Sequence, residues 1–367
     1  MRKVLVFGIT SNPGGVEAVI MNYYRNIDRS KIQFDFLCKA PAPAAFADEI
    51  ESLGGHIYYF TSRTDNYRAY RFELNAFFAE HAREYSAFWM NECGLANIDY
   101  IKLAKKHGIK KRIIHSHNSR NMYGKLQGFL HSLHKQQIAK YATDFWACSK
   151  EAGDWFFPSR IRDKVLQINN GIDVMRYAFN QEKRVYWRKK YRLENAYVIG
   201  NIGRLHFQKN QEFLLEVFSE VLRIQPDCRL VLIGQGEDEE KLRQKVKKLG
   251  LEAQVLFAGV QSDIPGWLSA FDLFVFPSVF EGLSVVALEA QANGLPVLAS
   301  EGVLPSEGRI MDNFRFYSLS EDVKSWAAQI LNMSQNEARY TAEDIKENFR
   351  KAGFDIKTEA IKLQERL

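Results

Sequence analysis

The chain has 367 residues, 46% hydrophobic and 26% charged, a length that fits about two globular domains able to bury their own cores. Fifty basic residues against 44 acidic ones leave a net charge of +6, too small an excess for a dedicated nucleic-acid binder. Four scattered cysteines, Cys38, Cys93, Cys148 and Cys228, form no CxxC pair; they argue against a zinc ribbon or disulfide framework and suit a reducing cytoplasm.

The first residues, MRKVLVFGI, carry two basic residues and a short apolar run that breaks at once into TSNPGG. That pattern reads as a buried strand rather than a secretion signal, and no later run approaches the roughly 18 apolar residues of a spanning helix. A helix is predicted over about 16–26, then strands at FDFLC (34–38) and HIYYF (56–60). An aromatic-rich helical stretch covers about 67–85, followed by strands at 87–93, 112–118 and 144–149. The polar, irregular stretch 168–184 contains Asn-Gly and a charge cluster, which marks a domain boundary. Beyond it strands return at 197–203, 229–234, 255–259, 273–277 and 296–300, with helices near 211–224 and 237–249 and a mostly helical tail from about 340. Short apolar runs alternating with helices predict parallel sheets covered on both faces, hence an α/β chain of two doubly wound Rossmann-like halves. Ligands of such sheets bind beyond the carboxyl ends of the strands, so two facing halves would share a cleft.

The stretch 276–300 is the most informative. A strand ends at Phe276-Pro277, a loop carries Glu281-Gly282-Leu283, and Ser284 is placed to cap the helix that follows. The free N–H groups and positive end of that helix suit phosphate or sugar oxygens. Glu281 and Glu289, one before the helix and one inside it, could grip separate parts of a polar ligand; taken alone they read equally as a dipole-favoured acid and a solvated surface residue. Arg204 and Lys209, between a strand and a helix, offer a planar fork and a point charge able to neutralise a diphosphate, or are two solvated cations. Gly14 and Gly15 lie between a strand and a helix, where backbone can approach an anion, or simply make a tight turn. His115 and His117 share one face of a strand end, as a packed pair or as a site. The glycines of LIGQGED, including Gly234, would let a flat base lie against backbone. The basic run 102–112 reads as a solvated face or as a patch for anionic lipid, and the aromatic segment 66–85 as a core helix in preference to a membrane-facing one. No D-x-D triplet is present, so no metal is expected.

Glu281 and Glu289 are separated by seven residues within FEGLSVVALEAQANGLPV, which resembles the E-x7-E element of the retaining, nucleotide-sugar-dependent glycosyltransferases of family 4, with the GT-B fold. Further motifs follow the order of that family: NPGGVE (12–17), HSHN (115–118), CSK (148–150), NNGID (169–173), NIGRLHFQKN (201–210), LIGQGED (232–238) and FAGVQSDIP (257–265). The resemblance implies an amino-terminal acceptor domain over 1–175, a donor domain over 176–345 and a closing helix over about 346–367 that packs back on the first domain. It implies that Arg204 and Lys209 stabilise the leaving diphosphate, that Glu281 holds the donor sugar and Glu289 the ribose, and that His117 stands near the transferred sugar. Gly259, Val260 and Gln261 would hold the base through main-chain groups, the amides of Gly282, Leu283 and Ser284 the sugar–phosphate end, and Gly14 and Gly15 the donor phosphate side. Many relatives carry Gly or Pro where this chain has Ser284. The implied reaction moves a sugar, with retention, from a nucleoside-diphosphate (UDP-type) donor to a hydroxyl of a glycan or polyprenyl-linked acceptor, as in exopolysaccharide or capsule synthesis, on the cytoplasmic side and in peripheral contact with the membrane, without metal or other cofactor. The alternatives are a sugar-nucleotide epimerase and a non-catalytic sugar-nucleotide scaffold.

Overall fold

A computed structural model describes residues 1–38, 43–119, 121, 124–281, 284–302 and 306–367. Two compact units emerge, Met1–Gly171 with Ile356–Leu367, and Ile172–Asp355, where the sequence expectation set the limits at 175 and 345.

The first unit holds a seven-stranded parallel sheet: β1 (Arg2–Ile9), β2 (Ile32–Cys38), β3 (Ile57–Tyr59), β4 (Ala87–Glu92), β5 (Lys111–Ser116), β6 (Asp144–Ala147) and β7 (Val165–Gln167), in the order β3-β2-β1-β4-β5-β6-β7. Its central strands are apolar because helices cover both faces; Val4 to Phe7 are wholly buried. All seven residues of β2 are buried, including Asp35, whose carboxylate accepts from Tyr85 Oη at 3.1 Å and from the His56 N–H at 3.0 Å. The polar residue is tolerated because its oxygens are partnered. Helix Ile356–Arg366 packs on helix Gly15–Asn26, and the Gln364 side chain accepts from the Asp28 N–H at 2.8 Å.

The second unit has six parallel strands: β8 (Tyr197–Ile202), β9 (Cys228–Ile233), β10 (Val255–Gly259), β11 (Leu273–Phe276), β12 (Val297–Ser300) and β13 (Phe314–Tyr317), in the order β10-β9-β8-β11-β12-β13. Its core gathers Leu214, Phe218, Leu230, Leu232 and Trp326 around the central strands. Close packing is strict at Gly200, where a Cβ would lie 2.0 Å from the Phe271 ring.

Strand order reverses between β1 and β4 in the first sheet and between β8 and β11 in the second. Loops leaving the two strands of such a reversal diverge to opposite faces and open a crevice at their carboxyl ends. The loops after β1 and β4, and those after β8 and β11, therefore form the two places where a ligand fits.

Two segments that the sequence left with alternatives take definite places. The aromatic stretch forms helix Tyr67–His81 and buries Tyr70, Leu74, Phe77 and Phe78, so it is a core helix. The basic run is largely spent on the fold: Lys105 Nζ donates to the Lys140 carbonyl at 2.6 Å, Lys106 Nζ to Asn75 at 2.9 Å, and Arg112 to the carbonyls of Tyr141 and Ile109 at 2.6 and 2.5 Å.

Candidate functional site

In the second unit the β8 and β11 loops meet. Lys209 closes the single turn Phe207–Lys209, and left-handed Asn210 turns the chain into helix Gln211–Ile224. Lys209 Nζ lies 2.7 Å from Glu281 Oε1 and 4.9 Å from the centre of the Phe276 ring. The two side chains are only 14% and 9% exposed, so the pair is shielded from water. What joins the loops is Gln208, which sequence reasoning missed. It is buried, donates from Nε2 to the Phe280 carbonyl at 3.0 Å, and takes the Val279 N–H on its own carbonyl at 2.7 Å. No local signal marks it, because both partners lie some seventy residues away.

Arg204 pairs with a different carboxylate from Lys209. Its side chain is 66% exposed and its Nε lies 2.9 Å from Glu237 Oε2, with His206 on the other oxygen of that carboxylate at 3.4 Å. An exposed pair of this kind is held by about 0–1 kcal/mol, so the guanidinium can exchange Glu237 for a stronger anion.

Glu289 is buried in helix Val285–Ala292 and accepts from Tyr177 Oη at 2.6 Å, which removes the solvated-surface reading. Tyr177 ends the short helix Val174–Tyr177, capped by Asp173, and its carbonyl accepts from Asn293 Nδ2 at 2.7 Å. The stretch read only as a boundary thus supplies a partner for a site carboxylate. Ser284 stands at the N-cap position, but its hydroxyl makes no capping bond, which corrects that expectation. Gly282 and Leu283 lie outside the described residues.

The LIGQGED glycines are required by the chain's own packing. A Cβ on Gly234, whose φ is +135°, would lie 2.0 Å from the Gly203 carbonyl oxygen, and one on Gly236 would lie 2.2 Å from that of Leu205. The Gly234 N–H donates to the Gly259 carbonyl at 2.9 Å, while Gly259 itself turns at φ +65° with open space around its Cα. Val260 is exposed. The Gln261 side chain is spent on its own loop, donating to the Ala258 carbonyl at 2.5 Å and accepting from Trp267 Nε1 at 3.2 Å.

In the first unit Gly14 and Gly15 head helix Gly15–Asn26, with Gly14 at the N-cap. The chain's own Glu17 carboxylate turns back to this helix start: its Oε1 accepts from Thr10 Oγ1 at 2.6 Å, and a Cβ on Gly14 would meet Oε2 at 2.8 Å. Burial pushes the Glu17 carboxyl above its ordinary range, although the Thr10 hydroxyl and nearby N–H groups favour the ionised form.

His115 is wholly buried among Trp89, Trp146 and His117, and among the described residues neither of its ring nitrogens has a hydrogen-bond partner. His117 is better placed: its Nε2 is 2.9 Å from Asn91 Oδ1 and its N–H donates to the Glu92 carbonyl at 3.1 Å. Desolvation pushes His115 well below the usual histidine range and holds His117 at about 3; it also holds His131, whose Nδ1 accepts from the Leu95 N–H, at about 4. All three are therefore neutral when folded, and below pH 6.5 the unfolded chain binds more protons. Stability is full above the unfolded value and is lost as pH falls, by about 1.4 kcal/mol per pH unit for each such ring. Urea unfolding from pH 7.5 to 5 is expected to show a falling midpoint, and His115→Phe to flatten that fall by one proton. An unchanged slope in the variant would mean that His115 is protonated in the native protein.

Among the described residues no group of three His, Cys, Asp or Glu side chains could hold a metal ion. Residues 184–352 match the family described as Glycosyl transferases group 1. Over 374 residues, covering 96% of this chain and 93% of its counterpart, the chain is 33% identical to "Putative glycosyltransferase EpsF" of Bacillus subtilis (strain 168). A shorter match, 34% identical over 141 residues and covering 37% of this chain and 36% of its counterpart, is to the Escherichia coli UDP-Gal:alpha-D-GlcNAc-diphosphoundecaprenol alpha-1,3-galactosyltransferase. Among solved structures it is similar to Anabaena Alr3699/HepE in complex with UDP and glucose, with a TM-score of 0.79 and 21% identity over 100% of this chain and 99% of that one.

Proposed function

The chain belongs to the group 1 glycosyl transferases and has their GT-B fold, and from that membership we propose a retaining, metal-independent transfer from a UDP-sugar to a hydroxyl of a glycan or polyprenyl-linked glycan. The second unit would bind the donor and the first the acceptor. The observation that carries this reading is the shielded Lys209–Glu281 pair at the β8/β11 reversal, a cation and a carboxylate held where a phosphorylated sugar would lie.

In the reaction the bond between the anomeric carbon and the phosphate oxygen breaks with its electron pair left on the diphosphate. The acceptor oxygen bonds the same face of that carbon, and the leaving phosphate takes the acceptor proton. Charge therefore grows on the diphosphate, where Lys209 would receive it and Arg204 would swing from Glu237 to join it. These cations would do the work that a divalent ion does elsewhere. Glu281, pulled from Lys209 by the phosphate, would accept hydrogen bonds from sugar hydroxyls, and Glu289, oriented by Tyr177, would hold the ribose diol.

Uridine as the base is supported by the UDP bound in the Anabaena structure and by the UDP-Gal named for the E. coli relative; that relative's diphosphoundecaprenol substrate supports a lipid-linked acceptor. Such an acceptor would bring the protein into peripheral contact with the inner face of a membrane. No described helix is long and apolar enough to cross one.

Thermal unfolding in EDTA with a panel of nucleotides and UDP-sugars tests the donor side. At one hundred times its Kd a ligand adds about 2.7 kcal/mol, a shift of several degrees. Stabilisation by UDP and one UDP-sugar is expected, with transfer to a lipid-linked glycan and an unchanged anomeric configuration by NMR. Stabilisation only with a divalent ion, inversion at the anomeric carbon, or sugar conversion without any acceptor would each overturn the reading.

A further inference from the structure

Between the two conspicuous histidines and the first strand lies a buried amide. Asn91 is the penultimate residue of β4, beside β1, which breaks register with β2 between Phe7 and Ile9. At that break Gly8 adopts φ +135°, and a Cβ there would stand 2.8 Å from Asn91 Cβ and 3.0 Å from its carbonyl oxygen. Only glycine therefore leaves Asn91 its seat. The Asn91 side chain is 1% exposed and its Nδ2 donates to the Phe7 carbonyl at 3.1 Å. A carbonyl only accepts, so this bond fixes which end of the amide is nitrogen. The other end, Oδ1, faces His117 Nε2 at 2.9 Å. An amide oxygen only accepts as well, so Nε2 must carry the hydrogen, and in a neutral ring Nδ1 is then left with its lone pair.

We propose that Asn91, seated by Gly8, is a positioning residue that locks His117 as the Nε2–H tautomer and so presents Nδ1 as the acceptor for a sugar hydroxyl. The tautomer rests on this chain's own geometry; the sugar hydroxyl rests on the glycosyltransferase reading above. A ring locked in this way accepts a hydroxyl proton in a hydrogen bond but has none to give at Nδ1. His117 would thus orient a hydroxyl group and would not act as a general acid at that atom.

The tautomer is read by long-range 1H–15N correlation on protein labelled in its eight histidines, with His117→Gln identifying the signal. The wild type is expected to show Nε2–H at His117 between pH 6 and 8 with no substrate present. Asn91→Leu removes the acceptor and is expected to give a mixture of tautomers, with kcat on a UDP-sugar lowered roughly 10- to 100-fold and donor KM changed less than about threefold. Asn91→Asp sets a second acceptor against the Phe7 carbonyl and a negative charge beside the ring. It is expected to favour the doubly protonated imidazolium, which has no lone pair at Nδ1, with kcat no better than in Asn91→Leu. A wild-type Nδ1–H ring, or an unaltered tautomer in Asn91→Leu, would overturn the lock, and this measurement stands even if a variant folds poorly. A changed tautomer with unchanged kcat would overturn the role of Nδ1. Failure of the wild type to transfer sugar from any donor would instead remove the glycosyl reading and leave the tautomer result in place.

Discussion

Lys209→Met and Glu281→Leu are each expected to reduce sugar transfer by about two to three orders of magnitude and to lower folding stability by about 3 kcal/mol, while the double variant regains much of the stability and none of the activity. The two outcomes separate because the pair serves two ends. In the folded protein both charges are shielded, and their attraction offsets the loss of water around them. Removing Glu281 leaves Lys209 desolvated beside an apolar neighbour, and removing Lys209 takes a short-range cation from the shielded Glu281. Lys209 would keep only the Phe276 face, a contact worth about 1 kcal/mol, in place of a carboxylate. Replacing both with apolar groups of similar volume removes the desolvation problem along with the attraction, and such swaps are often neutral or better for stability. Activity follows a different rule, because charge developing on the diphosphate needs a cation placed beforehand, and one lost electrostatic donor costs about 3–4 kcal/mol in the barrier. Urea unfolding of the four proteins gives the coupling between the residues, and transfer assays give the catalytic part. Near-normal transfer by either single variant would remove its assigned role, and a double variant as unstable as the sum of the singles would show that the two side chains act independently.

Much of this arrangement could be read from the chain, for an identifiable reason. Central parallel strands are buried on both faces, so β1, β8, β9 and β11 stand out as apolar runs. The strands left unread, β7 and β13, lie at sheet edges; VLQ and FRFY are half-exposed and carry no such run. Within the site, Lys209 and Glu281 were legible because their loops have a recognisable composition. Gln208, Tyr177, Asn91 and Glu17 were not, since each matters through a partner that only the fold brings near, as Tyr177 does for Glu289 across more than a hundred residues. Glu17 shows an ambiguity of another kind. A glycine-rich strand-to-helix turn predicts a helix end open to an anion, and it cannot tell whether that anion is a ligand or the chain's own carboxylate.

The same ambiguity at Gly234 leads to a prediction with a sharp alternative. If its lack of a side chain made room for a base, Gly234→Ala would fold normally and lose only affinity for UDP. The geometry requires more. Its φ of +135° is one that L-residues rarely adopt, and an added Cβ would sit 2.0 Å from the carbonyl oxygen of Gly203, which is backbone and cannot swing away. The carbonyl belongs to the turn that leaves β8 towards Arg204 and Lys209, and the Gly203 N–H is itself bonded to the Ile233 carbonyl at 2.9 Å. Relief would therefore pull apart the ends of β8 and β9 in the middle of the second sheet. We expect Gly234→Ala to cost more than about 4 kcal/mol, with early loss of the cooperative unfolding of the second unit. Gly259→Ala is the control. Its φ of +65° strains an alanine by about 1 kcal/mol, but nothing lies within 4 Å of the new methyl, so that variant should fold with a small fall in Tm. Circular dichroism melts and limited proteolysis of the two variants separate the cases, and a Gly234→Ala protein with wild-type Tm but no response to UDP would return this glycine to the base-binding role.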